Sequence, residues 1–394
     1  MTTEACATLG HVKERPAAIV SARPVSVLHV FKYFRPDFTG DGLYFEKLIP
    51  LLARRGVGAE VVAEKTRRRI SLPRGVRVRL FGRWHVGAVN PAMLLWFIAN
   101  AWRYDVVHIH SAVDRHFVYH LVAKAFGCRV VQSCTLDDGL DTVLAGYRAA
   151  YRPLVRLLCR LIDDVVAISP RLHDDSREMA PAGRLHLIPQ GAALPIEAPT
   201  DGPGGRAAAR ARFGFAPGDV VMLFVGGLCA RKDVRFLVDH HPAGDVPVHL
   251  LLVGPVLEEG YVEALAAAIA ASPAAARIHL AGYMDDPVPA YRAADLFVFA
   301  SRSEGFGNAP LEAMAHGLPV VCRRLPGITD SFIADGETGT LFDTAEGYTR
   351  AVAALVGDPG LRRSMGDAGR RTVEARYDLS VAADRYAALY RSVP

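Results

Sequence analysis

The sequence predicts an α/β protein built from two doubly wound parallel-sheet domains that face each other across a cleft. Three observations predict it. First, 394 residues exceed the length at which a single core usually stops growing. Second, short apolar runs rich in Val and Ile alternate with helical stretches along the chain. Strands of that kind are buried on both faces, which calls for a parallel sheet covered by helices. Third, the alternation breaks once. Residues 193–205, ALPIEAPTDGPGG, hold three prolines and three glycines and have the composition of a linker.

The first series places strands at 25–31, 58–62, 105–110, 129–133 and 164–168, with helices near 44–54, 113–126 and 151–161. The second places strands at 220–225, 248–253, 277–280, 296–300 and 319–322. Its helices fall near 231–240, 258–271, 308–316 and 346–356. The expected division is therefore 1–195, then 205–375, then a terminal helical stretch within 376–394. Ligands of such sheets sit off the carboxyl ends of the strands. Two such edges face to face make a deep cleft, the usual place for a site.

Composition narrows the class. Hydrophobic content of 51% and charge of 22% are those of a soluble globular protein. Cys6, Cys128, Cys134, Cys159, Cys229 and Cys322 are scattered, with no C-x-x-C pair and no His at zinc spacing. Neither a disulfide framework nor a structural zinc is expected, and a reducing, cytoplasmic compartment fits. The charges at Glu4, Lys13, Glu14, Arg15 and Arg23 leave no apolar core for a signal peptide. Residues 84–102 carry no Lys, Arg, Asp or Glu, but His85, Asn90, Pro91 and Asn100 interrupt them. A buried helix at about 91–102 is expected there rather than a membrane span.

Residues 1–190 carry 27 Lys and Arg against 17 Asp and Glu, a net +10, which leaves −5 for the remainder. A basic front half points to an anionic partner. Its densest part is Lys65, Arg67, Arg68, Arg69, Arg74, Arg77, Arg79 and Arg83, next to Trp84, Met93, Leu95, Trp96 and Phe97. Two readings stand: a monotopic face seated on the inner membrane surface, or a solvated loop followed by a core helix. Nucleic acid is not expected, because no binding motif accompanies the charge.

The sharpest local signal is Ser301-Arg-Ser-Glu-Gly-Phe-Gly-Asn-Ala-Pro-Leu-Glu312. A strand ends near Ala300, and Gly305 and Gly307 allow a tight turn and close approach of a ligand. Asn308 is placed to cap a helix that has Pro310 in its first turn. The free amides and positive dipole end of that helix favour a phosphate. Glu304 and Glu312 flank the anion site, where they can accept hydrogen bonds from hydroxyls. For each, a plainer role stands beside that one: a solvated loop charge for Glu304, a dipole-stabilising helix residue for Glu312.

The second signal is Val225-Gly-Gly-Leu-Cys-Ala-Arg-Lys-Asp-Val234, a strand, a glycine turn and a cationic pair before a helix. Positive charge at a helix start is unfavourable by itself, so Arg231 and Lys232 point to an anionic ligand such as a departing diphosphate. Phe38-Thr-Gly-Asp-Gly42 joins the first strand to its helix. Asp105-Val-Val-His-Ile-His110 ends a strand and places His110 near the cleft edge. Cys134-Thr-Leu-Asp-Asp-Gly-Leu-Asp141 follows another strand, and Asp138 is there a candidate to orient a hydroxyl, with cap roles equally open to Asp137, Asp138 and Asp141. No carboxylate ligands at metal spacing accompany His110, so a metal is not implied.

Glu304, the Gly-Phe-Gly turn, seven intervening residues and Glu312 together resemble the E-x7-E motif of retaining glycosyltransferases of the GT-B fold, family 4. The resemblance runs from Val25 to the C-terminus. It implies two Rossmann-like domains, and transfer of a sugar from a nucleotide-diphosphate sugar to an acceptor hydroxyl, with retention and without metal or other cofactor. It implies that Glu304 contacts the donor sugar, that Glu312 binds ribose hydroxyls, and that Gly307 and Asn308 offer amides to the phosphates. Residues 226–233 look like the family's G-R-L-x-x-x-K-G element, with Lys232 at the lysine and Gly227 where the arginine usually stands. Arg231 then becomes the candidate replacement cation. Gly40 and Gly42 resemble the glycine loop that reaches the donor phosphates, with Asp41 between them. His110 matches the family's H-x-H strand. Many members carry a histidine near Thr135, on the acceptor side, and this chain has none.

Weaker likenesses are Ile188-Pro-Gln-Gly191 to the family's I-P-N-G, and Leu325-Pro-Gly-Ile-Thr-Asp330 to its P-G-G-x-x-E loop. The stretch 377–390 is similar to the final helix that crosses back onto the first domain. Expected partners are the nucleotide-sugar donor and a sugar, lipid-linked or small-molecule acceptor. Two rivals stand: a nucleotide-sugar epimerase of the same fold, and a non-catalytic sugar-nucleotide-binding protein.

Overall fold

The structure is a computed structural model. It describes residues 23–34, 39–65, 76–82, 89–110, 117–135, 139–195, 205–242 and 247–392. In the front half, β1 (Val25–Tyr33), α1 (Gly40–Arg54), β2 (Val57–Lys65), β3 (Arg77–Gly82), α2 (Pro91–Asn100), β4 (Val106–His110), α3 (Phe117–Ala125) and β5 (Arg129–Cys134) follow in order. Then come α4 (Leu140–Gly146), α5 (Arg152–Cys159), β6 (Asp164–Ala167), α6 (Pro170–Asp174) and β7 (Leu185–Leu187).

The rear half begins with α7 (Arg206–Phe213), β8 (Val220–Val225), α8 (Val234–Asp239), β9 (Val248–Val253) and α9 (Glu259–Ala271). It continues with β10 (Ile278–Gly282), α10 (Val288–Ala293), β11 (Leu296–Phe299), α11 (Asn308–Ala315), β12 (Val320–Arg323) and β13 (Thr340–Phe342). It ends with α12 (Ala345–Gly357), α13 (Pro359–Thr372), a π-helical turn at Val373–Tyr377 and α14 (Leu379–Arg391).

Two parallel sheets result, ordered β3-β2-β1-β4-β5-β6-β7 and β10-β9-β8-β11-β12-β13. These are two Rossmann-like domains, as the alternation predicted. In each, the order reverses beside the first strand, which opens a crevice at the carboxyl edge. The central strands are continuous apolar runs because both faces are covered: every residue of β4, β5 and β6 is buried. Alternate side chains sort to the two faces. Val131 and Val166 join the cluster of α1 and α14, whereas Val107 and Val130 join that of α2 and α3. Val165 and Ala167 also point away from α14, toward Val155 and Cys159 of α5.

Helix α14 belongs to the first sheet's core although it ends the chain. Tyr386 and Tyr390 are fully buried beside Phe45 and Leu48 of α1. The crossing point is tight. Ala192 N donates to Tyr377 O at 2.8 Å and Leu379 N to Ala192 O at 3.0 Å. A Cβ on Gly191 would meet Leu379 Cα and Tyr377 O at 2.9 Å. The small residue of the Ile188–Gly191 stretch is therefore needed for backbone to pass backbone.

Two expectations are corrected. The basic stretch does not run as a solvated loop throughout, because Arg77–Gly82 forms β3, the edge strand paired parallel with β2. Its exposed Arg77 and Arg79 alternate with half-buried Val78 and Leu80, an edge-strand pattern that repels further pairing. Residues 66–75 and 83–88 lie outside the described residues. The expected buried helix at 91–102 is buried on one side only. Met93 and Phe97 are in the core, while Leu95 and Trp102 are 69% and 66% exposed.

Candidate active site

The geometry starts at β11. Where that strand ends, Ser301–Gly307 turns back toward the short 3-10 turn Ala230–Lys232 that follows β8. The two segments are tied by Arg302 N donating to Arg231 O at 2.9 Å. Lys232 Nζ lies 2.6 Å from Glu304 Oε1, Arg231 Nη1 lies 3.1 Å from the same oxygen, and Ser301 Oγ donates to it as well. Lys232 also stands over the Phe299 ring at 5.0 Å, a cation–π contact. Burial pushes the Glu304 carboxyl up, but Lys232 and then Arg231 overcome it and hold the group below the usual carboxylate range. Glu304 is therefore ionised, and an ammonium with three donors still has hydrogens to offer a second anion.

The residue after Lys232 is Asp233, in the left-handed region at φ 49°, where glycine stands in the resembling element. Arg302 Nε and Arg323 Nη2 both bind its Oδ2, at 2.9 and 3.2 Å, and that network offsets the local strain. Gly227 is tied to close packing. A Cβ there would meet Leu257 Cδ1 at 2.3 Å, so the leucine fills the space an arginine side chain would enter.

Helix α11 begins at Asn308, with Gly307 at its N-cap in a left-handed conformation, φ 118°. This corrects the expectation that Asn308 is the cap: no side chain caps this helix. Its first amides therefore lack intrahelical acceptors. Asn308 Oδ1 is buried and has no hydrogen-bond partner among the described residues. Glu312 is the fifth residue of α11, past the first turn, and so is not a dipole-stabilising first-turn acid. Its Oε1 takes Lys47 Nζ of α1 at 2.6 Å, and its Oε2 accepts from Tyr291 Oη at 3.2 Å.

Across the cleft, Gly40, Asp41 and Gly42 are not a free loop, as expected from the sequence, but the first turn of α1. Thr39 is its N-cap and accepts from Gly42 N at 3.1 Å. A Cβ on Gly42 would meet Thr39 Oγ1 at 2.5 Å, whereas Gly40 has open space around it. The carboxyl of Asp41 turns inward. Oδ1 accepts from Gln190 Nε2 at 3.2 Å, and Oδ2 lies 3.4 Å from His110 Nδ1.

His110 is not at the cleft edge. Its side chain is completely buried and stacks on Phe31 at 4.2 Å. Nε2 lies 2.9 Å from His29 Nδ1. His108 pairs with Tyr390 Oη at 2.6 Å and Ser133 Oγ at 2.7 Å. The three imidazoles have ring nitrogens within 4.8 Å of one another, but both nitrogens of His108 already have partners. Through Nδ1, His110 meets the inward-turned carboxyl of Asp41.

Burial pushes Asp41 up to about 7 against the opposing Gln190 bond. Burial also holds His29, His108 and His110 well below the ordinary histidine value, with His110 lowering the other two further. These groups act on stability in opposite directions. Folded Asp41 keeps a proton that an unfolded Asp releases near pH 4, so stability is lost as pH rises from there to about 7. The histidines refuse protons that unfolded histidines accept, so stability is lost as pH falls below about 6.5. Asp41→Asn is expected to raise the melting temperature relative to the parent at pH 8 and to leave it level at pH 4. Melting curves across pH 4–8 check this.

The domains touch where these residues lie. Besides Lys47–Glu312, Arg171 N donates to Gly327 O at 3.2 Å, with Gly327 at φ 69°. A Cβ on Gly305 would stand 2.2 Å from Thr135 O, so the loop after β5 and the Glu304 loop meet backbone to backbone. Thr135 is thus placed beside Glu304. Asp137 and Asp138 lie outside the described residues. Asp141 instead accepts from Glu178 N and Met179 N at 3.1 and 3.0 Å, a structural role. Two surface cavities of about 520 and 550 Å³ lie around Arg206, Tyr291 and Arg363, and around Arg129 and Arg184. Sequence reasoning missed Lys47, Tyr291 and Ser301. Only Ser301 carried a signal, its place at the end of β11.

Two Rossmann-like domains whose carboxyl edges face each other make the GT-B fold of glycosyltransferases. The comparisons agree. The profile described as "Glycosyl transferases group 1" matches residues 219–358, and that described as "Glycosyl transferase 4-like domain" matches 39–191. A D-inositol 3-phosphate glycosyltransferase of Nocardia farcinica is 33% identical over 375 residues, covering 84% of this chain and 80% of that one. The lipopolysaccharide core biosynthesis glycosyltransferase LpsE of Rhizobium meliloti is 33% identical over 177 residues, 44% of this chain and half of that one. Anabaena HepE, solved with UDP and glucose, superposes with a TM-score of 0.77 at 18% identity, covering 94% of this chain and all of that one. The chain belongs to the group 1 glycosyltransferases and is a nucleotide-sugar-dependent transferase.

Proposed function

We propose that the donor diphosphate lies between Lys232 and the first amides of α11, with Arg231 as the second cation. The observation that carries this reading is the convergence of Lys232 and Arg231 on the buried Glu304, in the turn that leads into the uncapped start of α11. Glu304 takes the donor-sugar hydroxyls and Glu312 the ribose. Lys47 and Tyr291 hold Glu312 in position until the ribose arrives. The first turn of α1, at Gly40, offers amides from the opposite side, while the Gly42 amide is taken by Thr39 and shapes that turn. In this reading residues 1–195 bind the acceptor, near Thr135 and Asp138, residues 205–375 bind the donor, and 376–394 pack back on the first unit.

Departure of the diphosphate leaves oxocarbenium-like charge on the sugar. Cations and helix amides stabilise the leaving group as its charge grows, so the reading needs no metal. Attack on the face the diphosphate leaves gives retention. A role for Glu304 as nucleophile is not part of it, since Lys232 and Arg231 hold its carboxylate.

HepE, a structural neighbour, was solved with UDP, and uridine is the base proposed here. A thermal-shift panel of UDP, GDP and ADP tests it. UDP is expected to raise the melting temperature by several degrees at 1 mM. A shift with GDP or ADP alone reassigns the base, and no shift with any of the three removes the donor site. Contact of the basic first domain with a membrane, and a lipid-linked acceptor, complete the reading. Among the described residues no helix is long and apolar enough to cross a membrane.

A further inference from the structure

Thirteen large hydrophobic side chains are exposed among the described residues, and eight of them lie in one layer, the helices on the sheet face opposite α14. On α2 and the turn after it they are Leu95, Ile98 and Trp102, spaced i, i+3, i+7 so that they form one stripe. Leu121 and Phe126 continue the surface on and just beyond α3, which packs beside α2. On and just before α5 they are Tyr151, Leu154 and Leu157, each more than half exposed, while Val155 and Cys159 of the same helix enter the core. Exposed apolar side chains gathered on one helix layer in this way mark an interaction surface.

The charges on these helices are mostly positive. Residues 91–103, 117–125 and 140–160 carry six Arg and Lys and one acid, Asp141, and Asp141 is occupied by the amides of Glu178 and Met179. Arg152 is engaged by Tyr147 O and Ala145 O, and Lys124 by Asp163. Arg148, Arg156 and Arg160 are exposed and flank Leu154 and Leu157 on α5.

We propose that this helix layer, led by α5, seats the protein on the headgroup region of an anionic bilayer. The proposal rests on the transferase reading and deepens it by naming the surface. The charge selects the occupant: an apolar stripe bordered by arginines matches acyl chains beneath negative headgroups, and a second copy of this chain would bring like charges together. The surface keeps Leu95 of the stretch the sequence singled out but takes its cations from around α5 rather than from β3. Arg79 lies over Trp96 at 5.2 Å and Arg77 pairs with Glu60, so β3 spends its described cations on its own domain. An acceptor carried in the same bilayer then meets the first domain without leaving the membrane.

The test is co-sedimentation of the full chain with vesicles of phosphatidylcholine and phosphatidylglycerol at 7:3, against phosphatidylcholine alone, in about 0.1 M salt. The parent is expected to pellet at least tenfold more with the anionic vesicles. Leu154→Glu/Leu157→Glu and Arg156→Glu/Arg160→Glu should each abolish the excess, whereas Leu280→Glu, an exposed change on the second domain, should not. All three changes are at exposed positions, and an unchanged melting temperature and nucleotide shift verify the fold. Equal pelleting with both vesicle types, or full binding by the α5 variants, overturns the proposal. So does a concentration-dependent dimer broken by Leu154→Glu/Leu157→Glu without vesicle binding, which makes the face an interface between copies. Vesicle binding without any nucleotide shift would sink the donor site and leave this surface standing.

Discussion

Lys232→Ala is expected to lower kcat/KM for sugar transfer about 10³-fold, or ~4 kcal/mol of transition-state stabilisation. The reasoning is electrostatic. The departing diphosphate gains charge as the glycosidic bond stretches, and a fixed ammonium in a site shielded from water is worth most at that moment. The lysine is held in place by Glu304 at 2.6 Å and by the Phe299 ring, so it needs no reorganisation. Removing it also leaves Glu304 with Arg231 as its remaining cation at 3.1 Å, and a buried carboxylate short of partners is costly. A modest fall in melting temperature is therefore expected beside the loss of rate. Steady-state kinetics, with donor hydrolysis as a second readout, check it. A rate within threefold of the parent would show that Lys232 does not face the leaving group.

The second large effect is expected at Gly305. An alanine Cβ would stand 2.2 Å from Thr135 O and 2.8 Å from its carbonyl carbon. Both are backbone atoms at the end of β5 and cannot swing away as a flexible side chain would. The domains would have to part by about 1 Å, and displacements of that size cost roughly 10² in rate. The proposed donor pocket belongs to the second domain, so nucleotide binding should survive. Gly305→Ala is expected to lower turnover about 10²-fold and to leave the UDP thermal shift within one degree. Loss of both would mean that the substitution damages the Glu304 loop itself.

The contrast between these residues shows what a sequence discloses here. Glu304, Lys232 and the start of α11 were readable because each sits in a strand–turn–helix segment whose glycines and charges are local, although the cap itself proved to be Gly307 and not Asn308. The central strands were readable because burial on both faces leaves unbroken Val and Leu runs such as Val220–Val225. Strand β3 was missed because its half-buried positions alternate with arginine, and β7 and β13 because three residues carry no periodicity.

Contacts between distant segments were not readable. Lys47 and Glu312 are 265 positions apart, and nothing in the helix around Lys47 marks it. His110 was misplaced for a related reason. The end of a strand fixes which edge a residue reaches, but not that Asp41, Phe31 and Phe45 close over it. Asp41 itself, an acid where phosphates are expected, finds its account in that burial, since its carboxyl faces His110 and Gln190 and not the cleft.

The most direct test is a crystal structure of the chain with the nucleoside diphosphate that gives the largest thermal shift. The expected result is a β-phosphate within hydrogen-bond distance of Lys232 Nζ and of the amides that open α11, with the ribose hydroxyls on Glu312. A diphosphate bound elsewhere, with Lys232 still paired only to Glu304, would contradict the donor pocket and everything built on it.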